Sequence, residues 1–343
     1  MLKEILRTLI LFCLVQNGFS AAVEDLEKVP YNLLGIKPYD GKSQKKFERE
    51  AGIENRFLAS FKTPKKELCY VGVSHENSLE GDTFHLVKTT FDAFEPEILI
   101  LEGFSYTYGR NPWFILDRIK EMTESTPHWP GGEPNFAAFL AQRKGIPFVG
   151  AEPTDKEICE QLMAKGYLNT DVAFFYFLRQ TGEYYRSKEL LSEEQLPVLF
   201  KRDMGVYQFH FFLQKVPSYE DYQSWLRQHC HRNICFKNID QLSGELTAPK
   251  LDGKLFTHQI SNEINAIRDA YILKVELNIA REFSKIMIVY GGAHYYSQEE
   301  ILKRYFGEPT YRRSRTSRRF FGKKAPTAAQ FFKTYPKTKI SLV

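Results

Sequence analysis

The sequence predicts an α/β fold, a central and mostly parallel sheet flanked by helices and carrying a helical insertion. Three observations predict it. Four short apolar runs, at 67–73, 98–101, 146–149 and 286–290, are near-continuous rather than alternating, as strands buried on both faces are. Helical spacing separates the first three runs, which is the strand–helix–strand order of a parallel sheet. Finally, the first and last runs close in the same Gly-x-x-His: Gly72-Val73-Ser74-His75 and Gly291-Gly292-Ala293-His294. A glycine there lets the backbone turn where the strand ends, and the histidine then stands at the strand's C-terminal mouth, where open α/β sheets bind ligands.

The elements follow in order. Lys3 and Arg7 precede an apolar stretch at 9–15, and Gly18 and Ser20 suit the −3 and −1 positions of a cleavage site. Residues 1–20 therefore read as a secretory signal peptide, cleaved after Ser20 and leaving an exported protein, periplasmic or secreted. The alternative is an uncleaved anchor helix, for which the run is short, since spanning takes ~20 apolar residues. Residues 21–66 are a polar, irregular lead-in punctuated by Pro30, Gly35, Pro38 and Gly41, with one helix. From 67 to 310 runs the α/β domain.

Within that domain, Asp82 caps a helix with Phe84, Val87, Phe91 and Phe94 on one face. Pro96 breaks it, and the second strand ends at Glu102-Gly103. A helix from Asn135 to Lys144 stops at Gly145, and the third strand ends at Gly150-Ala151-Glu152-Pro153. Thr154 caps the next helix, with Glu157 at the capping-box position. Residues 170–245, rich in Phe, Tyr, Gln and charge, form the helical insertion. A long helix over 255–283 places Ile260, Ile264, Ile267, Tyr271 and Val275 on one side, and a final helix covers 297–306.

Composition narrows the function classes. The chain has 343 residues, 43% hydrophobic and 26% charged, an ordinary globular balance, and its 28 Phe and 19 Tyr supply a large core. Seven basic residues between Arg312 and Lys324 exceed the whole net charge of +5, so the remainder is slightly acidic. Residues 311–343 are thus a basic tail, either solvated or bound to an anionic surface, with Phe320 and Phe321 suited to a membrane. There is no clear nucleic-acid motif. Four cysteines follow the signal peptide: Cys69, Cys159, Cys230 and Cys235. Cys230 and Cys235 are the nearest pair, as a local disulfide or as free thiols; their surroundings match no standard zinc-finger spacing. Cys69, inside a strand, is a small hydrophobe.

Four strand ends now carry His75, Glu102, Glu152 and His294. Two imidazoles and two carboxylates suit Mn, Fe, Co or Zn as a divalent ion, which lowers the pKa of a bound water. Without a metal the same groups can run acid–base chemistry, a histidine as base and a glutamate orienting it. Each has a structural alternative. Either histidine can be hydrogen-bonded framework, Glu152 can sit at the next helix's positive end, and Glu102 can pair with Arg110 or Arg268.

These residues carry a resemblance. Gly72-Val73-Ser74-His75, then a helix and Ile98-Leu99-Ile100-Leu101-Glu102-Gly103, is similar to the start of the TraB/GumN/Tiki proteins. Gly150-Ala151-Glu152-Pro153, Arg268-Asp269 and Gly291-Gly292-Ala293-His294-Tyr295 resemble their later motifs, over about 67–306 and without the insertion. The resemblance implies an α/β fold shared more distantly with erythromycin esterases (EreA) and ChaN-like haem-binding lipoproteins. It implies a metal-dependent hydrolase, with Tiki proteins as peptidases, acting on a peptide or small-molecule substrate. His75, Glu102, Glu152 and His294 would be the metal or catalytic groups. Arg268 would orient a carboxylate or stabilise an oxyanion. The esterase and ChaN branches have a glutamate directly after the first glycine. Here Val73 stands there and Glu76 follows His75, which favours the Tiki-like branch. The alternatives are haem or iron binding through His75, His294 or Tyr106 and Tyr108, and a non-catalytic interaction protein of the same fold.

Overall fold

A computed structural model describes residues 36–37, 41–51, 56–75, 79–122, 129–186, 192–230 and 255–313. The signal peptide, Glu76, Cys235 and all of the basic tract past Arg313 lie outside the described residues. The chain forms two compact units. One takes the described residues of Glu48–Ala151, Val275–Tyr295 and Glu299–Val343. The other takes those of Met1–Phe47, Glu152–Lys274 and Tyr296–Gln298.

The first unit is built on a mixed, mostly parallel sheet ordered β4-β3-β5-β2-β1-β6. Its strands are β1 (Phe57–Lys62), β2 (Glu67–Val73), β3 (Ile98–Ser105), β4 (Phe148–Glu152, whose last residue counts with the other unit), β5 (Lys285–Gly291) and β6 (Thr310–Arg313). β5 runs parallel to both β2 and β3, pairing Val73 with Gly291 and Leu101 with Val289. Strands 2, 3 and 5 are buried along almost their whole length, as their continuous apolar runs require. α1 (Gly41–Glu50) precedes the sheet. α2 (Asp82–Phe94), α3 (Trp113–Lys120) and α4 (Gly132–Lys144) follow β2 and β3. Phe84, Val87 and Phe91 of α2 pack with Phe136, Ala137 and Leu140 of α4 against Cys69, Val71, Leu99, Leu101, Met287 and Val289. Each fully buried ring or branched chain in such a layer contributes about 2 kcal/mol.

Two strands depart from the sequence reading. The lead-in supplies β1, and the basic tail begins in β6; both run antiparallel, β1 between β2 and β6. Phe57, Ala59 and Phe61 point inward while Leu58, Ser60 and Lys62 are less covered, an alternating pattern weaker than the continuous runs. Arg312 and Arg313 thus lie on a sheet edge, where cations discourage further strand pairing.

The second unit is helical among the described residues. α5 (Asp155–Ala164) opens with the expected capping box between Thr154 and Glu157. α6 (Asn169–Arg186), α7 (Leu196–His210), α8 (Tyr219–His229) and most of α9 (Phe256–Glu282) follow. Phe174, Phe177, Phe200, Tyr222 and Trp225 make an aromatic core with Ile260, Ile264 and Ile267 of α9. In the sheet unit, α10 (Gly292–Phe306, of which Tyr296–Gln298 count with the helical unit) starts directly after β5, five residues earlier than the spacing predicts. Cys69 and Cys159 are free and buried, and Cys230 is buried as well.

Candidate functional site

The two Gly-x-x-His motifs meet. β5 lies between β2 and β3, so their C-terminal ends are neighbours, and three side chains converge there. His75 stands two residues past β2 and turns its Nε2 to within 3.8 Å of Glu102 Oε1. His294, in the first turn of α10, brings its own Nε2 to 3.7 Å from that same oxygen. The other carboxylate oxygen of Glu102 accepts a 2.7 Å hydrogen bond from the Gly291 backbone N–H. That donor sits at the positive end of α10, which suits a carboxylate. Thr83 on α2 fixes the approach to His75 by donating to the Ser74 carbonyl at 2.9 Å.

The glycines serve this convergence differently from the sequence reading. Neither Gly72 nor Gly291 has a positive φ, so neither is there to turn the chain. A Cβ on Gly291 would stand 3.4 Å from Glu102 Oε2, 3.7 Å from His294 Cδ2 and 3.8 Å from His75 Nε2. All three are ordinary van der Waals distances, so a methyl group at 291 would line the convergence rather than block it. A Cβ on Gly72 would strike the ring of Phe57.

Glu133 is the residue the sequence reading missed. It lies in the first turn of α4, is 1% exposed, and accepts from His75 Nδ1 at 2.5 Å. This pairing assigns the Nδ1–H tautomer to a neutral His75 and leaves Nε2 as a lone-pair donor on the Glu102 side. A signal was present in the sequence: Pro134 suits a first helical turn and would have started the helix early enough to place Glu133 there.

Glu152 and Arg268 belong to the helical unit and are paired with each other. Arg268 donates from Nε to Glu152 Oε2 at 2.8 Å and from Nη2 to Oε1 at 2.6 Å, with both side chains mostly buried. Both carboxylate oxygens are thereby engaged. Arg110, the other arginine offered as a partner for Glu102, binds Glu282. Burial and the like charge of Arg268 hold the Arg179 guanidinium below its usual range, with Tyr176, Glu152 and Asp155 opposing.

No protein-family model, curated protein or solved structure matches the chain. The function therefore rests on the site itself. Among the described residues, no group of three or more His, Cys, Asp or Glu is arranged to hold a metal ion as the side chains stand. The donor chemistry nonetheless fits one: two imidazole Nε2 atoms and one carboxylate oxygen face each other, and a buried carboxylate backs one imidazole, as is usual behind metal-bound histidine. Tyr106 and Tyr108 occupy a short 3₁₀ turn after β3, where the Tyr108 ring packs edge-on against Phe114 at 5.0 Å.

Proposed function

We propose that the protein is an exported hydrolase of the TraB/GumN/Tiki kind, with His75, Glu102, Glu133 and His294 as its reacting centre. The single observation that carries the reading is the gathering of both motif histidines on one Glu102 oxygen, with Glu133 behind His75. His75 is 67% exposed at its side chain and reachable by a substrate, whereas Glu102 and His294 are sheltered at 13% and 12%. The substrate is an amide or ester of a peptide or small molecule. A divalent ion held by His75, Glu102 and His294 would supply Lewis-acid activation of water. Glu133 fixes the His75 tautomer and stabilises positive charge on that ring. Glu102, tied to Gly291, keeps a negative charge between the two imidazoles. Arg268, already neutralised by Glu152, is assigned a framework role, and Glu152 is not a ligand in this reading.

A metal-free variant uses the same groups, because His75 is exposed and its Nδ1 is held by the buried Glu133. His75 Nε2 then removes a proton from water, the resulting hydroxide adds to the acyl carbon, and the leaving group takes the proton back from the imidazolium. Elemental analysis of the purified wild type beside a His75→Ala/His294→Ala variant tests both. Stoichiometric Mn, Fe, Co or Zn, lost in the variant, is the expected result and justifies an amide and ester screen. Chelator-resistant turnover that depends on His75 selects the metal-free variant. No metal after soaking and no turnover dependent on either histidine overturns the proposal.

A further inference from the structure

The helical unit holds a cation and a phenol that its own residues leave unserved. Arg179 lies on α6, one turn after Tyr176, and Tyr207 lies on α7. The two tyrosine rings are 6.3 Å apart, and each packs on Phe211, at 4.8 and 5.0 Å. Around them stand Asp155 at the start of α5, His210 at the end of α7, and the Glu152–Arg268 pair. All of these residues belong to the helical unit.

The charges and donors here are already allotted, with two exceptions. Arg268 takes both oxygens of Glu152. Asp155 is served by the Tyr176 hydroxyl and by His210, whose Nδ1 is 3.8 Å away. Among the described residues, the Arg179 guanidinium has no ion pair and no hydrogen bond, and the Tyr207 hydroxyl has no hydrogen bond.

Both unserved groups are nonetheless crowded by protein. Arg179 is exposed and Tyr207 half-buried. Yet loss of hydration is the first cause that holds the guanidinium below its usual range and the Tyr207 phenol above its own. A side chain that water reaches but protein surrounds lies in a concavity. The like charge of Arg268 is the second cause for Arg179, and the Asp203 carboxylate for Tyr207. At neutral pH the guanidinium keeps its charge and the phenol keeps its proton, so both are donors.

An anion in this concavity would restore what desolvation removes from Arg179 and offset the charge of Arg268. A guanidinium fork matches the two oxygens of a carboxylate, and a neighbouring hydroxyl can give a third bond. A phosphate dianion suits the place less well, because Glu152 and Asp155 border it and repel a second negative charge.

We propose that Arg179 and Tyr207 form a subsite for an organic carboxylate. It stands whether or not His75 and His294 carry out hydrolysis. The test is titration calorimetry of the full chain with hippurate, beside its neutral amide hippuramide and inorganic phosphate. The expected result is that hippurate binds and that the amide and phosphate bind about tenfold more weakly or less. Arg179→Gln and Tyr207→Phe should each weaken hippurate binding about tenfold. Each substitution removes a group without a hydrogen-bonded partner among the described residues, so circular dichroism of both variants should match the wild type. Phenylglyoxal labelling read by peptide mass spectrometry adds a second measurement: hippurate should shield Arg179, and hippuramide should not. No hippurate binding, equal binding of the amide, a preference for phosphate, or wild-type affinity in either variant overturns the proposal.

Discussion

Removing Arg268 should cost more stability than removing any exposed cation of this protein, and the structure sets the size. Glu152 and Arg268 share two charge-assisted hydrogen bonds at 2.6 and 2.8 Å, with side-chain exposures of 12% and 15%. Little water is available to take over either charge. Breaking such a pair from one side costs about 3–5 kcal/mol, because a buried charge is left uncompensated. Arg179 moves the expectation to the low end: it already feels the Glu152 charge, so Arg268→Leu leaves that carboxylate a neighbouring cation. Arg268→Leu should therefore lower the unfolding free energy by about 3 kcal/mol. Glu152→Gln removes the other charge and should cost about as much, since two like-charged guanidinium groups then face each other with less opposition. The double variant, with no orphaned charge, should recover about 2 kcal/mol relative to additivity. Urea unfolding followed by Trp225 fluorescence and circular dichroism measures all four corners of the cycle. Additive effects, or single variants within about 1 kcal/mol of wild type, would refute the argument that this pair is a buried framework element.

Gly72→Ala should lower stability by about 1–3 kcal/mol through its clash with the buried Phe57 ring, and Phe57→Leu in the same chain should return part of the loss in chemical unfolding. Burial raises the Asp155 carboxyl above the ordinary 3.8, against the pull of His210, Tyr176, Arg179 and Arg268. The folded state thus holds that proton more tightly than the unfolded state, and the stabilisation is full below 3.8 and lost as pH rises through the native value. Asp155→Asn should flatten the decline of stability over that window, and an unchanged slope would contradict the assignment. Burial also pushes the Cys69 thiol up to about 12 and Cys159 up to about 11. Iodoacetamide at neutral pH should therefore label both only after unfolding, as read by peptide mass spectrometry.

The parallel centre of the sheet was legible because continuous apolar runs have one stable place in an α/β fold. The 67–73, 98–101 and 286–290 runs became three adjacent strands, which is why His75, Glu102 and His294 could be grouped from sequence. The antiparallel margin was not legible: β1 alternates and β6 is four residues long, and neither pattern stands above a loop of similar composition. Glu152 read as a site residue because it ends a strand. The sequence does not carry the long-range fact that Arg268, 116 positions later, takes both of its oxygens. Glu133 was hidden in the opposite way. It ends no strand, and its role depends on which face of α4 meets the end of β2, a tertiary fact.

The two histidines look equivalent in sequence and are not. His294 is sheltered against Tyr290, ring to ring at 5.4 Å, and its Nε2 is beyond hydrogen-bond distance from Glu102. His75 is mostly exposed, yet its Nδ1 is bound to a carboxylate that is 1% exposed. Exposure would normally make His75 a harmless site for substitution, but coupling to Glu133 reverses that. His75→Ala strips a donor from a buried carboxylate, a loss of about 1–3 kcal/mol. Glu133→Gln removes the charge that needed the donor. The His75→Ala/Glu133→Gln chain should therefore be more stable than His75→Ala alone, although neither is expected to turn over substrate. Thermal unfolding of the two variants side by side decides it. If the second substitution returns nothing, Glu133 is not held by His75 in solution, and the tautomer that leaves His75 Nε2 available loses its support.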